Sequence, residues 1–146
     1  MRVLLVHGPN LNRLGHRDPA VYGTVTLAEI VRAVTERGTE RGVDITPFQS
    51  NHEGAIIDWL QAEAPPADAI IINPGGLAHY SVALRDALDD TQRPVVEVHI
   101  SDPLSREPFR HALVTATAAA KVIAGKGLAG YLEALEFVCN QEGDSR

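Results

Sequence analysis

Short apolar runs alternate along this chain with stretches whose apolar positions recur every three or four residues, the pattern of successive βα units feeding a parallel sheet. The run from Val3 to Val6 is apolar throughout and predicts a first strand buried on both faces. Thr26-Leu27-Ala28-Glu29 is a capping-box sequence; it predicts a helix with Leu27, Ile30, Val31 and Val34 on one face, ending near Gly42. Val43 to Phe48 predicts a second strand. Ser50-Asn51-His52-Glu53 repeats the capping pattern ahead of a helix bearing Ile56, Ile57 and Leu60, which Pro65-Pro66 stops. Ala69 to Ile72 predicts a third strand, and Ser81 then caps a helix carrying Val82, Leu84, Ala87 and Leu88. Pro94 to Val98 and Lys121 to Ala124 predict the last two strands, and Leu128 to Val138 a final helix. Five strands with interleaved helices predict a flavodoxin-like, doubly wound α/β sheet of order 2-1-3-4-5. No repeat, linker or low-complexity stretch divides the chain, so residues 1–146 are expected to form one domain, with a flexible polar tail from Gln141.

Composition narrows the classes of function. At 146 residues the chain has the size of one domain, with 45% hydrophobic and 22% charged residues, ordinary for a soluble globular protein. No apolar run approaches the roughly 18 residues of a membrane span. The N-terminus lacks the length and cleavage site of a signal peptide. The single cysteine, Cys139, cannot form an internal disulfide, which fits a reducing cytoplasm. A net charge of −6 argues against a general nucleic-acid binder. An anionic ligand must therefore meet a local positive site. Lysine is scarce, with Lys121 and Lys126 against eleven arginines.

In doubly wound sheets, ligands bind outside the carboxyl ends of the strands where the strand order reverses. The predicted strands one, three and four meet there, and each is followed by a specific polar segment: Gly8-Pro9-Asn10-Leu11-Asn12, Asn73-Pro74-Gly75-Gly76 and His99-Ile100-Ser101. Glycine and proline make sharp turns that bring backbone N–H groups to a ligand, and asparagine donates or accepts. Each segment alone reads as a turn. Three of them converging on one crevice read as a site.

Glu97 and His99 leave the same face of their strand. A carboxylate beside an imidazole orients it and supports its protonated form, which suits a general acid; a buried structural pair is the alternative. The segment from Asn12 to Tyr22 has neither helical nor strand periodicity, and its length suggests a lid. It carries Arg17 and Tyr22. A phenol is a poor base unless a nearby cation stabilises its anion, though loop arginines and tyrosines are more often solvated or packed. Arg106 and Arg110 share a face if helical, making either a positive field or a solvated surface. The Gly125-Lys126-Gly127 segment reads as a turn. His16, His52 and His111 lack ligand-like spacing and there is no His/Cys cluster, so no metal is expected.

Taken together, these segments resemble the type II 3-dehydroquinate dehydratases from about Arg2 to Val138. The matching stretches are Gly8 to Gly15, Arg17 with Tyr22-Gly23, Gln49 to Gly54, Ile72 to Gly76 with His79, Ser81 to Leu88, Glu97 to Ser101, and Arg106-Glu107 with Phe109-Arg110. The resemblance implies a flavodoxin-like fold, a dodecamer built as a tetramer of trimers, and a cofactor-free anti elimination through an enolate that turns 3-dehydroquinate into 3-dehydroshikimate. It implies that Tyr22 is the base, with Arg17 stabilising its anion and closing over the site. His99 is then the acid, supported by Glu97, and Asn10 stabilises the enolate, through a water. Asn73, with Gly76 in the same turn, and the backbone amides of Ile100 and Ser101 hold the carboxylate. His79 and Arg110 bind ring hydroxyls, joined by Asp86 of a neighbouring subunit, and Arg106 faces the lid.

The chain departs from the family's usual pattern at His7, where asparagine is common, at Tyr80, at Asp102 and from Ala112 to Lys121. A flavin-binding module or response-regulator receiver is the rival reading from another class, but a receiver needs an acidic cluster after the first strand and His7-Gly8-Pro9-Asn10 offers none. A non-catalytic oligomeric paralogue is the other rival. The same reaction serves either shikimate-pathway biosynthesis or quinate breakdown.

Overall fold

The computed structural model describes residues 1–144 and forms a single five-stranded parallel sheet in the order β2-β1-β3-β4-β5. The strands are β1 (Arg2–His7), β2 (Asp44–Gln49), β3 (Ala69–Asn73), β4 (Val95–His99) and β5 (Lys121–Ala124). Five helices connect or follow them: α1 (Pro19–Tyr22), α2 (Leu27–Glu40), α3 (Glu53–Glu63), α4 (Val82–Asp90) and α5 (Leu128–Asp144). The polar segment expected from Gln141 begins inside α5; Ser145 and Arg146 lie outside the described residues.

Alternation along the central strands builds two cores. Val3 and Leu5 of β1 join Ile71 of β3 and Val96 and Val98 of β4 under α2 and α5, where Ile30, Val34, Tyr131 and Leu135 are buried. Leu4 and Val6 face the other way, with Ile70 and Ile72, onto Ile56 and Leu60 of α3 and Leu84 and Leu88 of α4. Each wholly buried Leu or Ile contributes about 1.5–3 kcal/mol relative to exposure. These layers fix the register, Val3↔Ala69 through His7↔Asn73, so β1 and β3 end level with each other.

The capping expectations divide. Thr26 Oγ1 accepts from the Glu29 N–H at 3.1 Å, and Ser81 Oγ accepts from the Leu84 N–H at 3.0 Å. The second predicted box does not form. His52 caps α3 without a side-chain bond, and the Glu53 carboxylate instead accepts from Ser81 Oγ at 2.5 Å, tying α3 to the start of α4. The supposed lid is also more ordered than its lack of periodicity suggests. It holds a 3-10 turn over Leu11–Arg13 and the helix α1, which is too short to display a period. Arg106 and Arg110 share no helix, because Pro103 and Pro108 each open a separate 3-10 turn, over Pro103–Ser105 and Pro108–Arg110.

Candidate active site

The ends of β1, β3 and β4 open onto one cavity of about 260 Å³ at the switch point between β1 and β3. Its floor depends on two interlocked turns. A Cβ on Gly8 would sit 2.2 Å from the Pro74 carbonyl oxygen, and one on Gly75, whose φ is +61°, would sit 2.8 Å from the Pro9 oxygen. Only glycine lets these backbones approach so closely. Gly8 N–H also donates to the Asn73 carbonyl at 2.8 Å. Asn10 takes a left-handed conformation, φ 71°, and its N–H donates to Asn51 Oδ1 at 2.9 Å.

One wall is the end of β4. Glu97 is fully buried and His99 is 7% exposed. His99 Nε2 stands 2.8 Å from Glu97 Oε2, while Thr115 Oγ1 donates to Glu97 Oε1. Both carboxylate oxygens are therefore engaged, and Nδ1 is the ring nitrogen left for a ligand. The Glu97–His99 pair expected of β4 is in contact, with Thr115 as an added support that the sequence pattern did not single out.

The segment around α1 also lines the cavity. Asp18 caps the helix by accepting from the Ala20 N–H at 3.0 Å, and Gly23 ends it, so Tyr22 is held at its last position. Arg17 donates to Tyr22 Oη at 2.8 Å, with its guanidinium carbon 3.8 Å from the ring centroid. Arg106 donates to the same oxygen at 2.9 Å. Two guanidinium groups thus donate to one phenol oxygen. Arg110 is held by Glu107 at 2.5 Å, and that bond, first among the causes, lowers the Glu107 carboxyl below its usual range. His79 Nδ1 is 2.9 Å from the Ala112 carbonyl oxygen and so donates to it.

The cavity brings together Asn10, Arg17, Tyr22, Asn73, Gly76, His79, His99, Ile100, Ser101, Arg106 and Arg110. Glu97 stands directly behind His99. Asp86 is the exception: it lies exposed on α4, 3.2 Å from Arg85, and does not line the cavity of its own chain. Behind the wall, Tyr131 of α5 accepts from Asn73 Nδ2 at 2.9 Å, a contact absent from the sequence reading because the two residues lie 58 positions apart.

A doubly wound sheet with a polar, arginine-lined cavity at its switch point defines a small-molecule-binding α/β domain with paired candidates for base and acid. A family model described as "Dehydroquinase class II" matches residues 1–139. The chain is 54% identical over 143 residues to the 3-dehydroquinate dehydratase of Roseiflexus castenholzii, covering 98% of this chain and 91% of that one. It is 52% identical to the enzyme of the same name from Halothermothrix orenii, covering 95% and 94%. Among solved structures, the type II dehydroquinase of Butyrivibrio crossotus superposes with a TM-score of 0.92 at 41% identity, covering 94% of this chain and 97% of that one. The chain belongs to the class II dehydroquinase family.

Proposed function

We propose that this cavity removes water from 3-dehydroquinate to give 3-dehydroshikimate, by anti elimination through an enolate, as a step of the shikimate pathway. The observation that carries the reading is the double donation of Arg17 and Arg106 to Tyr22 Oη, at 2.8 and 2.9 Å. An oxygen served by two charged donors is suited to act as an anion, and a phenolate is a competent base for a proton beside a ketone. His99 faces it from β4 and gives a proton from Nδ1 to the departing hydroxyl. Glu97, braced by Thr115, holds the ring by Nε2 and leaves Nδ1 for this donation. Asn10 stabilises the enolate through a water. Asn73, in the turn with Gly76, joins the amides of Ile100 and Ser101 in binding the carboxylate. His79 and Arg110 bind ring hydroxyls. The residues named supply the base and the acid within the chain itself, so the scheme calls for no cofactor.

Asp86 fits a role in a neighbouring subunit's cavity, since it is exposed and absent from its own. Val82, 58% exposed, lies four residues before it on the same face of α4, next to Tyr80 at 68%. Apolar surface around a polar residue is what a subunit contact requires, and the proposed assembly is a dodecamer of four trimers. Among the described residues no helix is long and apolar enough to cross a membrane; a cytoplasmic location is part of the proposal. The test is ultraviolet monitoring of enone formation from 3-dehydroquinate by purified protein. Absorbance that stays flat with folded protein removes the assignment.

A further inference from the structure

Two buried groups behind the cavity take no part in the chemistry above. His7 closes β1 with 1% of its surface exposed, and Tyr131 of α5 is wholly buried. Their rings stack at 5.4 Å between centroids, and His7 Nε2 lies 3.1 Å from Tyr131 Oη. The same Oη accepts from Asn73 Nδ2 at 2.9 Å. Asn73 Oδ1 in turn accepts from the Gly75 N–H at 3.1 Å, inside the turn that floors the cavity.

Donors and acceptors leave one consistent arrangement. The Gly75 N–H fixes which end of the Asn73 amide is oxygen, so Nδ2 is the end that meets Tyr131. With Nδ2 donating, the Tyr131 hydroxyl hydrogen needs its own acceptor, because a buried unpaired donor is costly. His7 Nε2 is the acceptor within reach. It must then be unprotonated, with the ring hydrogen on Nδ1. Burial acts in the same direction, holding His7 down to about 4 and the ring neutral at pH 7. Asn73 Nδ2 keeps a second N–H, and Asn73 lines the cavity.

We propose that His7 and Tyr131 form a positioning relay that holds the Asn73 amide with its free N–H toward the substrate carboxylate. Neither ring touches substrate; both act through Asn73. The inference rests on the reading that Asn73 binds that carboxylate, and it adds a specificity device set at the end of β1 and completed by α5.

The test is steady-state kinetics with 3-dehydroquinate. Tyr131→Phe keeps the ring and its packing but removes the acceptor for Asn73, and should raise KM about three- to tenfold, the effect of one uncharged hydrogen bond, with kcat within about twofold. His7→Gln places an amide oxygen at the reach of Nε2 and should keep the parental KM, whereas His7→Leu offers no acceptor and should behave like Tyr131→Phe. In an Asn73→Ala background, Tyr131→Phe should add nothing. The imidazole nitrogen shifts of His7 should show the hydrogen on Nδ1. If Tyr131→Phe proves unfolded, the His7 pair and the nitrogen shifts carry the test alone. An unchanged KM in Tyr131→Phe or His7→Leu, a full Tyr131→Phe effect in the Asn73→Ala background, or a hydrogen on Nε2 overturns the relay while leaving the dehydratase reading intact. An Asn73→Ala variant with parental KM removes the carboxylate contact itself, and the relay with it.

Discussion

A tyrosine is a demanding choice of base, because an ordinary phenol ionises near pH ~10 and is mostly neutral at pH 7. Tyr22 Oη accepts from two guanidiniums, one delivered by the loop and one from the segment after β4. On the proposed mechanism, Tyr22→Phe should lower kcat by about 10²–10⁴ while substrate still binds, since the ring remains. Arg17→Ala should keep a residual rate, because Arg106 stays, and that rate should climb toward alkaline pH as the phenol ionises with less help. Arg17→Lys keeps the charge but not the planar fork and should recover part of it. Near-parental turnover in Tyr22→Phe, read from pH–rate profiles, places the base elsewhere. His7 makes a different prediction. Folded, it resists protonation down to about 4 because it is buried, so the unfolded chain binds more protons below about pH 6.5. Stability therefore falls as pH falls through that window, by about 3 kcal/mol at its lower end from this one residue. Urea unfolding at pH 7 and at pH 4.5 should show a smaller loss in His7→Gln than in the parent; equal losses contradict the assignment.

Among the elements, the interlocked turns after β1 and β3 are the most exacting. Gly8→Ala forces a methyl against the Pro74 carbonyl oxygen, 2.2 Å away, and backbone must move to admit it. Destabilisation above about 2 kcal/mol is expected, from overpacking alone. A thermal melt matching the parent would show that the turns separate easily. The sequence makes elements legible where the interactions are local. The Thr26 cap bonds three residues on and forms as read. The Ser50 box has the same pattern and fails, because Glu53 is claimed by Ser81 from 28 residues away. Arg106 and Arg110 meet in the cavity although Pro108 denies them a shared helix, so their convergence is a property of loops rather than of helical spacing. The strands followed from periodicity and their order from the flavodoxin-like pattern, and the cavity lies where the switch-point rule locates it. Thr115 and Tyr131 carry no local mark at all. Their roles arise from contacts across 18 and 58 residues, visible only once the sheet has closed.

At the scale of the molecule, charge is sorted by place. The chain carries −6 overall, yet Arg17, Arg106 and Arg110 line the cavity, so an anionic substrate meets a local positive field. Both lysines lie elsewhere, Lys126 paired with Glu133 at 2.7 Å and Lys121 at 3.9 Å from the same residue. Borohydride added with substrate should therefore trap no imine and leave activity intact; a reduced adduct on either lysine contradicts the mechanism. Asp86→Ala should weaken substrate binding while the chain stays folded, and light scattering should find the active species to be a large oligomer. An active monomer removes the role proposed for Asp86.

The paired glycine turns also decide when disorder is lost. Because each turn fills the space the other would need to move, the floor of the cavity surrenders its conformational freedom as the chain folds, before any ligand arrives. On the proposed reading, a carboxylate settling there meets the Asn73 amide already in place, and association carries no entropic cost for arranging it. On the same reading, any ordering that accompanies binding falls to the segments that bring Arg17 and Arg106 to Tyr22. Substitutions of Gly8 or Gly75 should thus register mainly as changes in folding, and substitutions of Arg17 or Arg106 mainly as changes in binding and turnover.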